Sequence, residues 1–263
     1  MPTNNLQAFL DSLRKQLAAA PDGVDVSAIA QAIEALEHPD EARTKIWFLL
    51  DRSGSMQSLA GDVIGGFNRF VQEQATKPDK ARLTVVQFDG TNPFELVHDG
   101  VRIAEVPELT GDIYSPRGTT PLYDAIADLI DRADGRIARR AAKGRPVEDQ
   151  LVLIFTDGLE NASRRNDRSK VFALIHQRQD DDWTFVFMGA NQDSYAEGHK
   201  IGLVDGNVQD YDPTSANGSM AFESLSRATA EFRNKPRHRR HADKERFFNE
   251  LKEAELARRR SHS

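Results

Sequence analysis

One carboxylate and two hydroxyls stand at alternate positions in a short polar stretch of the chain. They belong to Asp51, Ser53 and Ser55. In an extended loop, alternate positions lie on one side of the backbone, so these three side chains can converge. Hard cations prefer oxygen ligands, and Mg²⁺ needs few protein groups because it keeps several of its waters. The spacing therefore predicts a divalent-metal site.

The two serines alone fit an ordinary strand-to-helix loop equally well, with Ser55 or Ser58 capping the helix. Two further polar segments favour the metal site. Asp157 follows an apolar strand and offers a second carboxylate, which can act directly or through water. Thr120 precedes Pro121, a residue that suits the first turn of a helix. Its hydroxyl either caps that helix or binds the metal, and the sequence leaves both open.

The elements that position these groups can be predicted from hydrophobic patterns. Residues 46–50 form an apolar run that is too short for a helix and too continuous for a half-exposed strand. Residues 151–156 form a similar run before Asp157. Strands then alternate with helices, which predicts an α/β fold with a doubly wound, mostly parallel sheet. Such sheets bind ligands beyond the carboxyl ends of their strands, where both aspartates would lie.

The turn signals Asp89-Gly90 and Asp99-Gly100 predict an antiparallel edge hairpin. The turn accounts for Asp89, so we leave this residue out of the site. The predicted elements are helices at 3–20, 26–37, 59–75, 121–141, 167–179 and 215–233, and strands at 45–50, 82–88, 93–98, 101–106, 151–156, 183–188 and 207–211.

We expect three parts: an N-terminal helical extension at 1–43, a main domain at 44–232 and a basic, helix-prone tail at 233–263. The tail has eleven Lys or Arg against five Asp or Glu, an excess of six positive charges. Because the whole chain carries −6, residues 1–232 carry −12. We expect the tail to be a solvated, loosely ordered helix.

Composition excludes some classes of site. The chain of 263 residues has no cysteine, so disulfides, zinc-thiolate sites and thiol nucleophiles are excluded. The first residues lack the apolar core of a secretion signal, and no apolar run is long enough to span a bilayer. We expect a soluble, cytoplasmic protein.

Taken in order, Asp51, Ser53, Ser55, Thr120 and Asp157 resemble the von Willebrand factor type A domain with its metal-ion-dependent adhesion site. That family has Asp-x-Ser-x-Ser after the first strand, a distant Thr, and a distant Asp after a later strand. The resemblance covers residues 44–205. It favours Thr120 over Thr119, because the family's threonine often follows a Gly-x pair and opens a helix.

The resemblance implies a mechanism. In similar domains the two serines and the threonine bind Mg²⁺ or Mn²⁺, with Ca²⁺ as a further candidate, and the two aspartates act directly or through waters. One coordination position accepts an Asp or Glu carboxylate from a partner protein. Intracellular members of the family often work beside AAA-type ATPases, so the resemblance implies an adaptor and not an enzyme.

Two other functions stay open. Asp-x-Ser-x-Ser at the end of a strand has some likeness to a Mg²⁺-dependent phosphohydrolase. Against this, Ser53 stands where such an enzyme needs an acid to protonate the leaving group. Nucleic-acid binding through the basic tail is the other, and the acidic body argues against a broad electrostatic footprint.

Overall fold

The structure is a computed structural model that describes residues 3–21, 29, 33, 43–77, 80–157, 159–190, 194–211 and 215–249. By its contacts the chain divides into two units, Met1–Ala42 and Arg43–Ser263. The first unit contains helix α1, Thr3–Ala18, which confirms the helix predicted at 3–20. The helix predicted at 26–37 lies almost entirely outside the described residues.

The second unit alternates strands and helices, as the sequence predicts. Its strands are β1 Arg43–Asp51, β2 Lys80–Phe88, β3 Glu95–Arg102, β4 Asp149–Thr156, β5 Thr184–Ala190 and β6 Val208–Tyr211. Its α-helices are α2 Ala60–Ala75, α3 Leu122–Ala141, α4 Arg168–Asp180, α5 Ser194–Lys200, α6 Ser215–Asn234 and α7 Arg237–Ala242. A 3₁₀ turn, Gly54–Leu59, leads from β1 into α2.

The six strands form one sheet in the order β3-β2-β1-β4-β5-β6. All neighbouring pairs are parallel except β2 and β3, which are antiparallel. From the central pair β1 and β4, the chain builds the sheet outward in both directions. Their carboxyl ends therefore form the topological switch point at which α/β sheets bind ligands.

Each face of the sheet carries its own apolar layer. Along β1, Ile46, Phe48 and Leu50 join one buried cluster with α2 and α6. Trp47 and Leu49 join the other, with α3 and α4. Side chains alternate between the faces of a strand, so a strand covered on both sides must be apolar throughout. This arrangement confirms the doubly wound, mostly parallel sheet predicted from the sequence.

The edge strand differs from the prediction. Two strand segments were expected to be separated by a turn at Asp99-Gly100, but β3 continues through both residues to Arg102. The β2–β3 register shifts there, and Gly100 has φ of +64°. A glycine with positive φ suits a β-bulge, which bends a strand without ending it. Residues 103–105 form a 3₁₀ turn, so the strand predicted at 101–106 is also too long.

The first part of the predicted tail is packed. Helix α7 is followed by turns that reach Asn249, and Arg240 and Phe248 are each 1% exposed. The expectation of a solvated, loosely ordered tail is therefore wrong as far as residue 249. The aromatic pair Phe247-Phe248 supplies apolar surface that the basic composition conceals. The rest of the tail lies outside the described residues, and the predicted domain boundaries stay predictions.

Among the residues that the structure describes, no helix combines the length and the apolar composition needed to cross a bilayer.

Candidate metal centre

The two predicted aspartates lie side by side at the switch point. Asp51 is the last residue of β1 and is fully buried, and Asp157 follows the last residue of β4 and is 6% exposed. The parallel register, which pairs Leu50 with Phe155, brings the two strand ends together. Thr156 donates from Oγ1 to Asp51 Oδ2 at 2.6 Å, which ties the ends to each other.

A chain of hydrogen bonds joins four of the five predicted residues. Asp51 Oδ1 accepts from the backbone N–H of Ser53 at 2.7 Å. Ser53 Oγ lies 3.0 Å from Ser55 Oγ, which donates to Asp157 Oδ1 at 2.7 Å. The alternate spacing of 51, 53 and 55 therefore brings these side chains together as predicted, and a second loop completes the set.

The loop that carries Thr120 is fastened to both other loops. The backbone N–H of Gly54 donates to the carbonyl of Gly118 at 3.0 Å, and Gly118 has φ of +69°, a conformation that favours glycine. Thr120 donates its backbone N–H to Asn161 Oδ1 at 2.9 Å, and Asn161 returns its own N–H to the Thr120 carbonyl at 3.1 Å. Thr120 is thus placed between the loops after β1 and β4.

Thr120 and Thr119 differ in burial. Thr120 is 2% exposed, whereas Thr119 is exposed. The hydroxyl of Thr119 faces Gly90, where an added Cβ would come within 2.0 Å of it. Within the described residues, the Thr120 hydroxyl makes no hydrogen bond to the other four site residues, and the bonds between the Thr120 backbone and Asn161 hold the residue in place.

Thr120 does not cap helix α3. The N-cap position is occupied by Pro121, one residue later, so the cap reading of Thr120 is wrong. A backbone N–H in the first turn of α3 instead finds its acceptor on another loop, because Tyr123 donates to Glu160 Oε2 at 2.8 Å. An acidic side chain there also complements the helix dipole.

Sequence reasoning missed the residues that hold the loop after β4. Asp124, in the first turn of α3, accepts backbone N–H donors from Arg164 at 2.9 Å and Asn166 at 2.9 Å. Glu160 Oε1 accepts from the N–H groups of Ala162 and Ser163 at 2.8 and 2.7 Å. The fold brings Asp124 to its partners from about 40 residues away, so no local pattern could have identified that contact, whereas the Glu160 contacts are local.

Asp89, which the sequence assigns to a turn, also anchors the site. Its Oδ1 accepts from the backbone of Thr91 and Asn92 at 2.7 and 2.9 Å, as the turn requires. Its Oδ2 accepts from Arg52 at 2.6 Å and from Arg117 at 3.1 Å. Arg52 precedes Ser53 in the chain and Arg117 precedes Gly118, so Asp89 links two of the three loops.

The carboxylates differ in their electrostatics. Burial raises the pKa of Asp51 to about 6, against the opposing effect of hydrogen bonds from Thr156 and Ser53. Burial likewise raises the pKa of Asp157, which Ser55 partly offsets. Burial alone would raise the pKa of Asp89 too, but hydrogen bonds from Asn92 and Arg52 lower it overall.

The donor set fits a hard divalent cation. It consists of two carboxylates and three hydroxyls, all oxygen donors. Within the described residues, neither Asp51 nor Asp157 has an ion pair with Lys, Arg or His. The same residues contain no group of three or more His, Asp or Glu that could hold a metal, so a metal here needs the hydroxyls. Two buried carboxylates without a cation are what a divalent ion would neutralise.

Solved structures with similar folds include three from diverse organisms. The pilus adhesin SpaC of Lactobacillus rhamnosus GG matches with a TM-score of 0.53 and 12% identity over 73% of this chain and 30% of that one. Proximal thread matrix protein 1 of the mussel byssus gives 0.47 and 14%, over 78% and 52%. The manganese-loaded TRAP protein of Plasmodium vivax gives 0.44 and 14%, over 68% and 71%.

At 12% identity, the match to SpaC shows the fold alone. The chain spans about half or less of the first two matching structures, 52% and 30% of their lengths. Comparison with curated protein sequences gave no match. The sequence model of the von Willebrand factor type A domain matches residues 45–225, which is well over half of the chain. The chain therefore belongs to the von Willebrand factor type A domain family.

Proposed function

We propose that this domain binds a partner protein through a divalent cation held by Asp51, Ser53, Ser55, Thr120 and Asp157. The observation that carries the proposal is the pair of buried carboxylates, linked by two serine hydroxyls and without a protein cation beside them. Mg²⁺ is the proposed ion, with Mn²⁺ or Ca²⁺ as alternatives.

The balance of charges favours an anionic partner group. Two carboxylates match the charge of one divalent ion, and the three hydroxyls add no further negative charge. When bound, the ion supplies a Lewis-acidic position that attracts a carboxylate from an Asp or Glu of the partner. A site with three or four carboxylates would have little further attraction for one.

The chain's own residues would orient the donors. Ser53 and Ser55 lie on a loop anchored by the Arg52–Asp89 ion pair, in which Arg52 is 4% exposed and Asp89 is fully buried. Tyr114 donates from its hydroxyl to the backbone carbonyl of Asp51 at 2.6 Å, which fixes the end of β1. A preformed site of this kind lowers the entropic cost of binding.

We further propose that the domain is an adaptor or assembly module and not an enzyme. Ser53 occupies the position where a phosphohydrolase would need a general acid. A cytoplasmic setting and an AAA-type ATPase as partner stay predictions from the family resemblance.

The test measures binding of candidate partner proteins in Mg²⁺ and in EDTA. We expect binding in Mg²⁺ only, and loss of binding in Asp51→Ala and in the double variant Ser53→Ala/Ser55→Ala. Ser58→Ala is the matched control, because Ser58 is exposed on the same 3₁₀ turn and should bind as the wild type does. Circular dichroism checks that the variants fold.

The partner provides the second half of the test. Changing each exposed Asp or Glu of a bound partner to Asn or Gln should identify one carboxylate whose loss abolishes binding. Binding that is unaffected by EDTA and by both variants would contradict the proposal. Hydrolysis of p-nitrophenyl phosphate that disappears in Asp51→Ala would contradict the non-enzymatic role.

A further inference from the structure

A cavity of about 280 Å³ lies at the opposite end of the sheet from the candidate metal centre. Six of its nine lining residues are arginines and a seventh is a lysine. The cationic members are Arg82, Arg132, Arg136, Arg139, Arg140, Lys143 and Arg145. We call it the basic cavity. In a chain whose net charge is −6, this concentration of positive charge is unusual.

The cations come from three separate elements. Strand β2 supplies Arg82, helix α3 supplies four arginines, and Lys143 and Arg145 follow the end of that helix. Six of the seven cations lie within residues 132–145, and the fold adds Arg82 from strand β2. Bringing like charges together costs free energy through mutual repulsion, which a bound anion would relieve.

Protein carboxylates neutralise only part of this charge. Asp99 pairs with Arg132 at 2.6 Å, and the buried Glu148 pairs with Arg136 at 3.0 Å and Arg140 at 3.1 Å. Arg82 donates to the backbone carbonyl of Gly100 at 2.6 Å.

The remaining cations at the mouth of the cavity are more exposed. Arg139, Lys143 and Arg145 are all exposed, and within the described residues none of them has a carboxylate partner. Two carboxylates thus face seven cations, and three of those cations are available to a ligand.

Helix stabilisation explains only some of the arginines. Cations in the last turn of a helix interact favourably with its dipole, which accounts for Arg139 and Arg140 near the end of α3. It does not account for Arg82 on a strand, nor for Arg132 in the middle of the helix. Arg82 and Arg132 have the structural contacts given above, so a purely structural role leaves Lys143 and Arg145 unexplained among the described residues.

A buried lysine lies against the cavity. Lys45, on β1, is fully buried, and its Nζ lies 4.3 Å from the centre of the Trp47 ring, which lines the cavity. It donates to Thr84 Oγ1. Burial and then the charge of Arg136 lower the pKa of Lys45 well below its ordinary value, and Glu148 only partly offsets this. Burial is thus the main reason for the lowered pKa, and the charges around the cavity act on Lys45 with both signs.

The composition of the cavity indicates which kind of anion fits. Guanidinium groups bind phosphate in a bidentate manner, and six of the seven cations are arginines. The volume is just below the range of roughly 300–1,000 Å³ that is usual for drug-sized ligands. Trp47 is fully buried and cannot stack on a base, which argues against single-stranded nucleic acid.

An adjoining cavity extends the positive surface. It has a volume of about 570 Å³ and shares Arg82, Arg140 and Arg145 with the first. Lys77 and Arg102 are among the further cations that line it. A chain of linked phosphates could therefore begin in the basic cavity and continue toward its neighbour.

We propose that the basic cavity binds an oligophosphate, a ligand with two or more linked phosphate groups. Trp47, which lines the basic cavity, and Asp51 are four residues apart on β1, a span of about 13 Å at the usual rise of a strand. The basic cavity is thus spatially distinct from the metal centre, and the two proposals can fail independently.

Calorimetry with inorganic tripolyphosphate tests the proposal on the full chain. The buffer contains EDTA, because tripolyphosphate chelates divalent cations and would otherwise report on the metal centre. We expect saturable binding that weakens as salt is added. The triple variant Arg139→Gln/Lys143→Gln/Arg145→Gln should weaken it about tenfold or more, since it removes three charged donors. These residues are exposed, so the variant should fold.

A control variant removes the same charge elsewhere. Arg168→Gln/Lys170→Gln/Arg239→Gln changes three exposed cations outside the basic cavity and should bind as the wild type does. Equal losses in both triple variants would show a general charge effect and overturn the proposal. So would wild-type affinity in the cavity variant.

Two further probes define the ligand. A nucleoside triphosphate that binds no better than tripolyphosphate identifies free oligophosphate as the ligand, and tighter binding identifies the nucleotide; both support the proposal. A single-stranded oligonucleotide or a poly-glutamate peptide that binds while tripolyphosphate does not would overturn it.

Discussion

The buried carboxylates at the two ends of strand β4 differ in their charged partners. Asp149, at its start, lies 2.8 Å from Arg237, 3.0 Å from Arg240 and 3.2 Å from His241. Asp157, just past its end, has a serine hydroxyl at 2.7 Å and no cation partner within the described residues. At the start of β4, which we call the closed end, the carboxylate is neutralised by the protein's own cations. At the other end, which we call the open end, Asp157 retains negative charge that an external cation can neutralise.

The pKa values express the same difference. Burial would raise the pKa of Asp149, but the hydrogen bond from His241 and the charges of Arg237 and Arg240 lower it overall. Burial raises the pKa of Asp157, and only Ser55 opposes this from another residue. A saturated carboxylate stabilises the fold, whereas an unsaturated one is a strained group that a ligand can relieve. The charged partners of a buried acidic residue therefore decide whether it stabilises the fold or can bind a ligand.

The largest change in the free energy of unfolding should come from removing the ion pairs of Asp149. Asp149→Asn leaves Arg240, which is 1% exposed, without its carboxylate. Removing one partner of a buried ion pair costs about 3–5 kcal/mol. Urea denaturation should show a loss of this size in the free energy of unfolding.

Asp157→Asn is the matched change at the open end. In EDTA it removes an unpaired buried charge, so the free energy of unfolding should stay the same or rise. Equal losses in the two variants would show that the two ends do not differ.

The pH dependence of stability should have opposite signs at the two kinds of carboxylate. The pKa of Asp51 is raised in the folded state from 3.8 to about 6. The metal-free fold binds this proton more tightly than the unfolded chain does, so stability should fall as pH rises from about 4 to about 6. The loss is about 3 kcal/mol at 1.36 kcal/mol per pH unit.

Asp149 has a lowered pKa, so its contribution is present above the unfolded value near 4 and is lost as pH falls through the lower folded value. Urea denaturation in EDTA from pH 3 to 8 measures both slopes. The falling slope should become shallower in Asp51→Asn, where only the part due to the raised pKa of Asp157 is left, and should be unchanged in Ser58→Ala. A slope in Asp51→Asn as steep as that of the wild type would assign it to another group.

Saturating the open end with metal should stabilise the fold. A ligand that binds only the folded state at a hundred times its dissociation constant contributes about 2.7 kcal/mol. Mg²⁺ should therefore raise the free energy of unfolding of the wild type by about this amount and leave Asp157→Asn unchanged. Stabilisation of equal size in both proteins would place the bound ion elsewhere.

The smallest expected effect is a difference in Mg²⁺ affinity between variants of two adjacent threonines. Thr120→Ala should weaken Mg²⁺ binding about tenfold, the scale for losing one supporting group at a metal site. Thr119→Ala should leave the affinity unchanged, because the Thr119 hydroxyl faces Gly90. Calorimetry on both variants measures the difference, and a larger loss in Thr119→Ala would reverse the assignment.

Local patterns predicted the strands in which consecutive residues are all apolar. The apolar runs that became β1 and β4 belong to strands covered on both faces, so every position had to be apolar. Asp51, Ser53 and Ser55 were predictable for a related reason, because their spacing and the strand before them act within one short segment.

The features that the sequence could not predict depend on contacts between distant segments. Gly100 looks like a turn residue, yet pairing with β2 makes it a bulge within a strand. The role of Asn161 beside Thr120 depends on two loops that meet only in the fold. Phe247 and Phe248 are buried although the residues around them are strongly charged.

The most direct measurement is the anomalous scattering of Mn²⁺ in crystals of the metal-loaded protein. The proposal predicts one peak bounded by oxygens of Asp51, Ser53, Ser55, Thr120 and Asp157, and its absence in crystals of Asp157→Asn. A peak at another site, or no peak at saturating Mn²⁺, would contradict the claim that the open end of the sheet holds a divalent ion.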